Sequence, residues 1–291
     1  MKKLFRTFAV LISFLVFPFS GCDNGYTSDE IAEMQETLAS FDDNPNVALT
    51  YFNTIWLQDR KIFVDELTYE GTQIDRLLGC ADEYFYASVL VKKATRNYTM
   101  SILQIDYDTL EMVEIGCVEN LKAAHTGSCR LVGDKIYFYA GEKYGEKYCI
   151  YDINSGAQEW FDFDFDTFWK EVPTQYAFEI SSDKKDSVIT VTENETGEKK
   201  QVSWKNDLDM TEEGKYIQKF SEQAIWVNAS FIDATERNGK CYFLGVLPLD
   251  AMVFERQAVI FTYDFATEEV SYYSSLFYDQ YEYPSLEIIN R

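Results

Sequence analysis

The sequence predicts an all-β fold: a β-propeller-like body of about five to six four-stranded blades, preceded by one short N-terminal helix. Three observations lead there. The chain holds 22 Phe, 21 Tyr and 5 Trp, and aromatic residues favour the half-buried, pleated surface of a strand. After residue 45 helical periodicity gives way to short alternating apolar runs separated by turn residues. A unit of about 40–45 residues then recurs along the chain, the length of one blade.

The first 21 residues stand apart from this body. Lys2, Lys3 and Arg6 form a basic head, and the apolar run TFAVLISFLVFPF follows over 7–19. A charged segment and an apolar core of this length make a secretory signal; a membrane-spanning helix needs about 20 apolar residues. Ordinary cleavage fits badly, because Pro18 or Phe19 would occupy a position that requires a small residue. Phe19-Ser20-Gly21-Cys22 resembles the bacterial lipobox, with Phe19 where leucine is usual. The resemblance implies that Cys22 becomes the new N-terminus and carries diacylglycerol, with palmitate-type chains as the membrane anchor. Two acyl chains hold a protein on a bilayer where one is marginal. The alternative is a signal peptide followed by a disulfide cysteine.

The expected organisation is therefore a lipoprotein signal peptide over 1–21, a lipidated tether with the short helix over 22–45, and the β-propeller-like domain over 46–291. Within the tether, Thr27-Ser-Asp-Glu30 has the form of a capping box. Ile31, Met34, Leu38 and Phe41 follow on one helical face, which predicts a helix over roughly 28–41, closed by Asp42-Asp43-Asn44-Pro45.

The repeat emerges on aligning LQIDYDTLEMVEI, CIYDINSGAQEWFDF, TVTENETGEKKQVSW and FTYDFATEEVSYYS. In each, an apolar strand ends at an acid (Asp106, Asp152, Glu193, Asp264), and a hydroxyl residue (Thr109, Ser155, Thr196, Thr267) stands three positions later. Such residues bond back to the local backbone and so suit turns. Gly133-Asp134-Lys135 and Asn238-Gly239-Lys240 mark tight turns upstream of two copies. Each acidic turn is expected to join the third and fourth strands of its own sheet. These turns resemble those of bacterial propellers of the quinoprotein-like and Y-x-x-D-x-x-T-G-E types. Asp152, Gly156 and Trp160 match the spacing of the quinoprotein tryptophan-docking repeat, with Ile150 and Ser155 in place of its alanine and threonine. The other copies lack that tryptophan, so the resemblance implies the fold and no quinone cofactor. The competing architecture is a set of unrelated hairpins in an irregular β-sandwich.

Charge narrows the partners. Formal net charge is −23, and removing residues 1–21 leaves −26. A polyanion is repelled by phosphate backbones and anionic lipid headgroups, which excludes nucleic acid as a partner and makes a covalent lipid the necessary membrane contact. A protein or glycan ligand remains open. Beyond Cys22, the five cysteines Cys80, Cys117, Cys129, Cys149 and Cys241 cannot all pair within one chain. Cys149 and Cys241 lie in apolar strand-like runs and read as buried thiols. Cys117 and Cys129 bracket a connecting segment and are the disulfide candidates.

Few residues suggest chemistry. The only histidine, His125, has Ser128 and Cys129 near it in sequence, but a triad is defined in space. FDFDFDTFW over 161–169 would set Asp162, Asp164 and Asp166 on one face of a strand, a weak calcium site; the EF-hand pattern fails, with Thr167 and Pro173 where glycine and glutamate belong. No other cofactor is indicated. With 49 acidic residues, choosing one pair for glycoside hydrolysis would be arbitrary. The tyrosine-rich end, SYYSSLFYDQYEYPSLEII, suits a last strand closing a ring. The expected function is a membrane-anchored extracytoplasmic binding or scaffolding module, facing outside the cytoplasm. Its rival is a surface carbohydrate-active hydrolase or lyase, which a deep central site holding carboxylates of raised pKa would favour.

Overall fold

The computed structural model describes residues 29, 30, 32, 33, 36, 37, 46–94, 97–121, 129–139, 147–162, 174–182, 186–208, 230–248, 256–278 and 284–289. Of the helix expected over 28–41, the six described residues are helical, too few to show the element. Cys22, His125, Asp164 and Asp166 lie outside the described residues.

From residue 46 onward the described residues form an all-β fold with one short 3₁₀ turn. The closing blade takes its strands from both ends of the described chain, in the order β21-β1-β2-β3. These are β1 (Val47–Tyr51), β2 (Thr54–Trp56), β3 (Lys61–Phe63) and β21 (Ser285–Ile288). A 3₁₀ turn (Val64–Glu66) and a small hairpin of β4 (Thr68–Tyr69) and β5 (Thr72–Gln73) lead to blade one. Blade one is the meander β6 (Arg76–Cys80), β7 (Tyr84–Ala94), β8 (Asn97–Asp106) and β9 (Met112–Leu121). Blade two repeats it with β10 (Cys129–Val132), β11 (Lys135–Tyr139), β12 (Lys147–Asp152) and β13 (Gln158–Asp162). Blade three has β14 (Tyr176–Ser182), β15 (Ser187–Glu193) and β16 (Lys199–Ser203); blade four has β17 (Ser230–Arg237), β18 (Lys240–Pro248), β19 (Arg256–Asp264) and β20 (Glu269–Tyr278). The tyrosine-rich end is thus divided between the outer strand of blade four and the closing strand.

The four acidic turns share one geometry. Asp106 accepts the Thr109 N–H at 2.7 Å and hydroxyl at 3.0 Å. Asp152 accepts the same two groups of Ser155 at 2.8 and 2.7 Å. Glu193 accepts the Thr196 hydroxyl at 2.7 Å, and Asp264 the Thr267 N–H at 2.9 Å. Four residues after each acid the backbone is left-handed, at Leu110, Gly156, Gly197 and Glu268. In blades one, two and four the turn joins the third and fourth strands, as expected. Blade three has three described strands, and its register supplies the equivalence. Tyr176 opens β14 opposite Glu193, as Tyr84 opens β7 opposite Asp106 and Lys135 opens β11 opposite Asp152. Its strands therefore occupy the second, third and fourth positions of a blade.

Packing between sheets sets the order of neighbours. Ile55, Ile62, Leu77, Phe85 and Leu103 form a core joining the closing blade to blade one. Ile102, Val118, Ile136, Phe138 and Tyr151 join blade one to blade two. Val191, Trp204, Phe231 and Phe261 join blade three to blade four, and Trp56, Leu244, Ile260 and Leu286 join blade four to the closing blade. Among the described residues no apolar cluster joins blade two to blade three, so the circuit is propeller-like and not closed there. A two-layer sandwich would have one core between two sheets; here successive sheets share separate cores.

Candidate functional site

The two ends of this assembly differ. One end gathers tight connections: 57–60, 81–83, 107–111, 133–134, 153–157, 194–198, 238–239 and 265–268. Contacts between blades place them together. Arg60 donates to the Tyr107 and Asp108 carbonyls at 2.9 Å, Lys200 donates to the Phe265 carbonyl at 2.6 Å, and Arg237 pairs with Asp82. At the opposite end the described residues hold the tight link at 52–53, and five strands that border segments outside the described residues end there: β9 at Leu121, β11 at Tyr139, β13 at Asp162, β18 at Pro248 and β20 at Tyr278. Binding residues concentrate on connections that a rigid scaffold positions.

Between these ends the innermost strands of four sheets, β6, β10, β17 and β21, come together. The approach is close: a Cβ on Gly79 of β6 would lie 2.3 Å from the Leu131 Cβ of β10, so only glycine fits there. Three charged side chains act on one another electrostatically in this region: Asp233 from β17, Glu287 from β21 and Arg130 from β10. Asp233 accepts the Ala234 N–H at 2.9 Å and the Leu286 N–H at 2.6 Å. Burial nevertheless raises its carboxyl to about 6, against the pull of those bonds and of Arg130. Burial, then the neighbouring Asp233, raises Glu287 to about 8, with Arg130 opposing. Both residues are partly exposed to solvent. Towards the tight-turn end, Arg237 bonds to the Ile288 carbonyl as well as to Asp82.

None of these residues stood out in the sequence. Glu287 in SLEII and Asp233 in SFIDATER are acids inside strand-like apolar context, and that is the only local signal. A second concavity, of about 390 Å³, lies between the β4–β5 hairpin and the outer half of blade one. It is lined by Glu70, Lys93, Ser101, Glu114, Cys117 and Glu119, with Val89 and Val91 at its floor.

The sequence-derived candidates fall elsewhere. Asp162 closes β13 and bonds to Lys147 at 2.9 Å, which holds its carboxyl below the usual range. Cys117 is in β9 and Cys129 in β10, on different sheets, and both are free thiols. Cys129 donates instead to the Leu77 carbonyl at 3.0 Å, so the expected disulfide is not formed. Cys149 and Cys241 are fully buried, and burial pushes each thiol to about 12. No helix among the described residues is long and apolar enough to cross a membrane.

No known protein family matches the chain, and no curated protein matches it. Among solved structures it is similar to the β-propeller domain of the trilobed protease from Pyrococcus furiosus, at 10% identity and a TM-score of 0.25, over 70% of this chain and 58% of that one. TolB from Acinetobacter baumannii matches at 10% identity and 0.29, over 85% and 59%. A putative exported protein from Bacteroides fragilis matches at 11% and 0.21, over 79% and 71%. The chain thus spans less than two thirds of the first two. The propeller-like description rests on strand order, register and packing.

Proposed function

We propose that the protein is an exported, Cys22-lipidated module whose propeller-like body binds or scaffolds a protein or glycan outside the cytoplasm. The observation that carries this reading is the composite face: Arg130, Asp233 and Glu287 act on one another electrostatically from the innermost strands of three different sheets. Such a face can present a composite site with no local motif. Two measurements test it. Cys22→Ser releases the protein from membranes or leaves it unprocessed; unchanged membrane retention contradicts the anchor. A body beginning after residue 45 co-sediments with isolated bacterial envelopes, and Arg130→Glu weakens this by about tenfold or more, the loss of an interaction worth about 1.4 kcal/mol. Equal sedimentation of the two contradicts the composite face.

One observation favours a second reading, a carbohydrate-active hydrolase or lyase. Asp233 and Glu287 are two carboxyl groups pushed to different pKa values by their surroundings, the pattern of an acid–base pair. Glu287, protonated near neutral pH, would be the acid, and Asp233 the base. Release of reducing or unsaturated sugar from envelope polysaccharide, abolished in Glu287→Gln, would support it; no release from any polysaccharide fraction sinks it.

A further inference from the structure

Blade one is longer than the sheet it packs against. Its strands β7, β8 and β9 hold 11, 10 and 10 residues, whereas β2 and β3 of the closing blade hold 3 each. Phe85, Leu103 and Ile105 share one core with Ile55 and Ile62. The same face of blade one continues past that core, since every second residue of a strand points the same way. Val89 stands there opposite Ser101, Val91 opposite Thr99, and Ser101 opposite Cys117. This extension and the β4–β5 hairpin line the cavity of about 390 Å³.

The lining points to one kind of ligand. Its charge is unbalanced: Glu70, Glu114 and Glu119 stand against one cation, Lys93, and among the described residues none of the three glutamates has an ion-pair partner. The acids are also dispersed. Glu70 is on the hairpin, and Glu114 and Glu119 lie five residues apart on β9, roughly 15 Å along a strand. Among the described residues no three Cys, Asp or Glu side chains are grouped to hold a metal ion. An extended cation with several charges fits such a set, and a compact ion does not. Ser101 adds an independent sign. It lines the cavity and is 9% exposed, and its hydroxyl makes no hydrogen bond among the described residues. A buried hydroxyl left unpaired costs free energy, which a ligand N–H donating to it would recover. Beside it Val89 and Val91 offer apolar surface to methylene groups.

We propose that this cavity binds a linear polyamine, with ammonium groups at Glu114 and Glu119, a central amine at Ser101 and methylenes against Val89 and Val91. A triamine such as spermidine has nine single bonds between its terminal nitrogens, about 11 Å when extended. The flexible glutamate side chains close the remaining distance.

Calorimetric titration of the full chain with spermidine tests this, in about 0.15 M salt to screen the general attraction of a polyanion. One spermidine should bind per chain. Glu114→Gln/Glu119→Gln should weaken it at least about tenfold, the effect of losing two hydrogen bonds between charged groups. Glu83→Gln/Glu159→Gln, at exposed acids outside the cavity, should leave binding unchanged, and magnesium at the same ionic strength should not compete. No binding, an equal loss in both double variants, or displacement by magnesium would each overturn the polyamine site. Cys117, half-buried in the cavity wall, gives a second readout in the natural chain. Bound spermidine should slow its alkylation by iodoacetamide, mapped by mass spectrometry at constant ionic strength. Should the Glu114/Glu119 variant not fold, this labelling decides: slower alkylation of Cys117 supports the site, and unchanged or faster alkylation overturns it.

Discussion

Blades three and four lie side by side and share a core, yet they are built differently. In β19 of blade four, Gln257 to Phe261 are all buried. Val259 and Phe261 face blade three, while Ala258 and Ile260 face the closing blade. In β15 of blade three, burial alternates: Ile189 and Val191 are buried against blade four, and Val188, Thr190 and Thr192 on the other face are not. Glu179, Lys199 and Gln201 continue that polar face in the adjoining strands. A sheet packed on both sides reads as a continuous apolar run, and one packed on a single side alternates. Blade four is therefore an interior blade, and blade three is the flank at which the described circuit of cores stops.

The shared core should be the most sensitive place in the pair. Trp204, just past β16, meets Phe231 and Phe261 edge-on at 5.0 and 6.1 Å. Gly245 of β18 makes room for it, since a Cβ there would lie 2.2 Å from the indole. Trp204→Ala should cost about 3–5 kcal/mol, read as a lowered urea midpoint. A change below about 1 kcal/mol would mean that the two blades do not depend on each other.

The two faces can then be set against one another. Ile260→Ala, on the blade-four face buried against the closing blade, should cost about 2–5 kcal/mol. Thr190→Ala, on the outer face of blade three, should stay within about 0.5 kcal/mol. Equal costs would contradict the one-sided packing of blade three.

The carboxylate of Glu236, on β17, accepts the N–H groups of Gln175 and Tyr176 at 2.6 Å each. These open β14 where other blades have an inner strand alongside, so the side chain supplies acceptors that a neighbouring strand would otherwise provide. Glu236→Ala should cost about 1–3 kcal/mol and speed hydrogen exchange at the start of β14. No change in exchange there would show that the two amides find other acceptors.

How much of this could be read in the chain depends on range. The turns at Asp106, Asp152, Glu193 and Asp264 were visible because everything that makes them lies within five residues: an acid, a hydroxyl and a left-handed position. Their place between the third and fourth strands followed from the alternation around them. Blade three's one-sidedness was also present, in SVITVTE set against QAVIFTYD, although periodicity alone names no neighbour. The charged cluster could not be read, because Arg130, Asp233 and Glu287 lie on three strands far apart in sequence and are three charges among many. The disulfide expectation failed for a related reason. Cys117 and Cys129 are near in sequence, but the chain between them passes from one sheet to the next. Lipidation of Cys22 rests on a local motif outside the described residues, which is why fractionation decides it.

The central claim is that the last described strand pairs with the first, so that one sheet joins both ends of the described chain. Thr50 and Ser285 face each other at the end of the β1–β21 register, and neither is buried. In a Thr50→Cys/Ser285→Cys variant, mild oxidation should yield an intramolecular disulfide between those two positions, mapped by mass spectrometry under non-reducing conditions. Its formation in the folded protein, with a raised urea midpoint, is the predicted result. Failure of the two cysteines to join, while the protein remains folded, would contradict the closure and with it the propeller-like account.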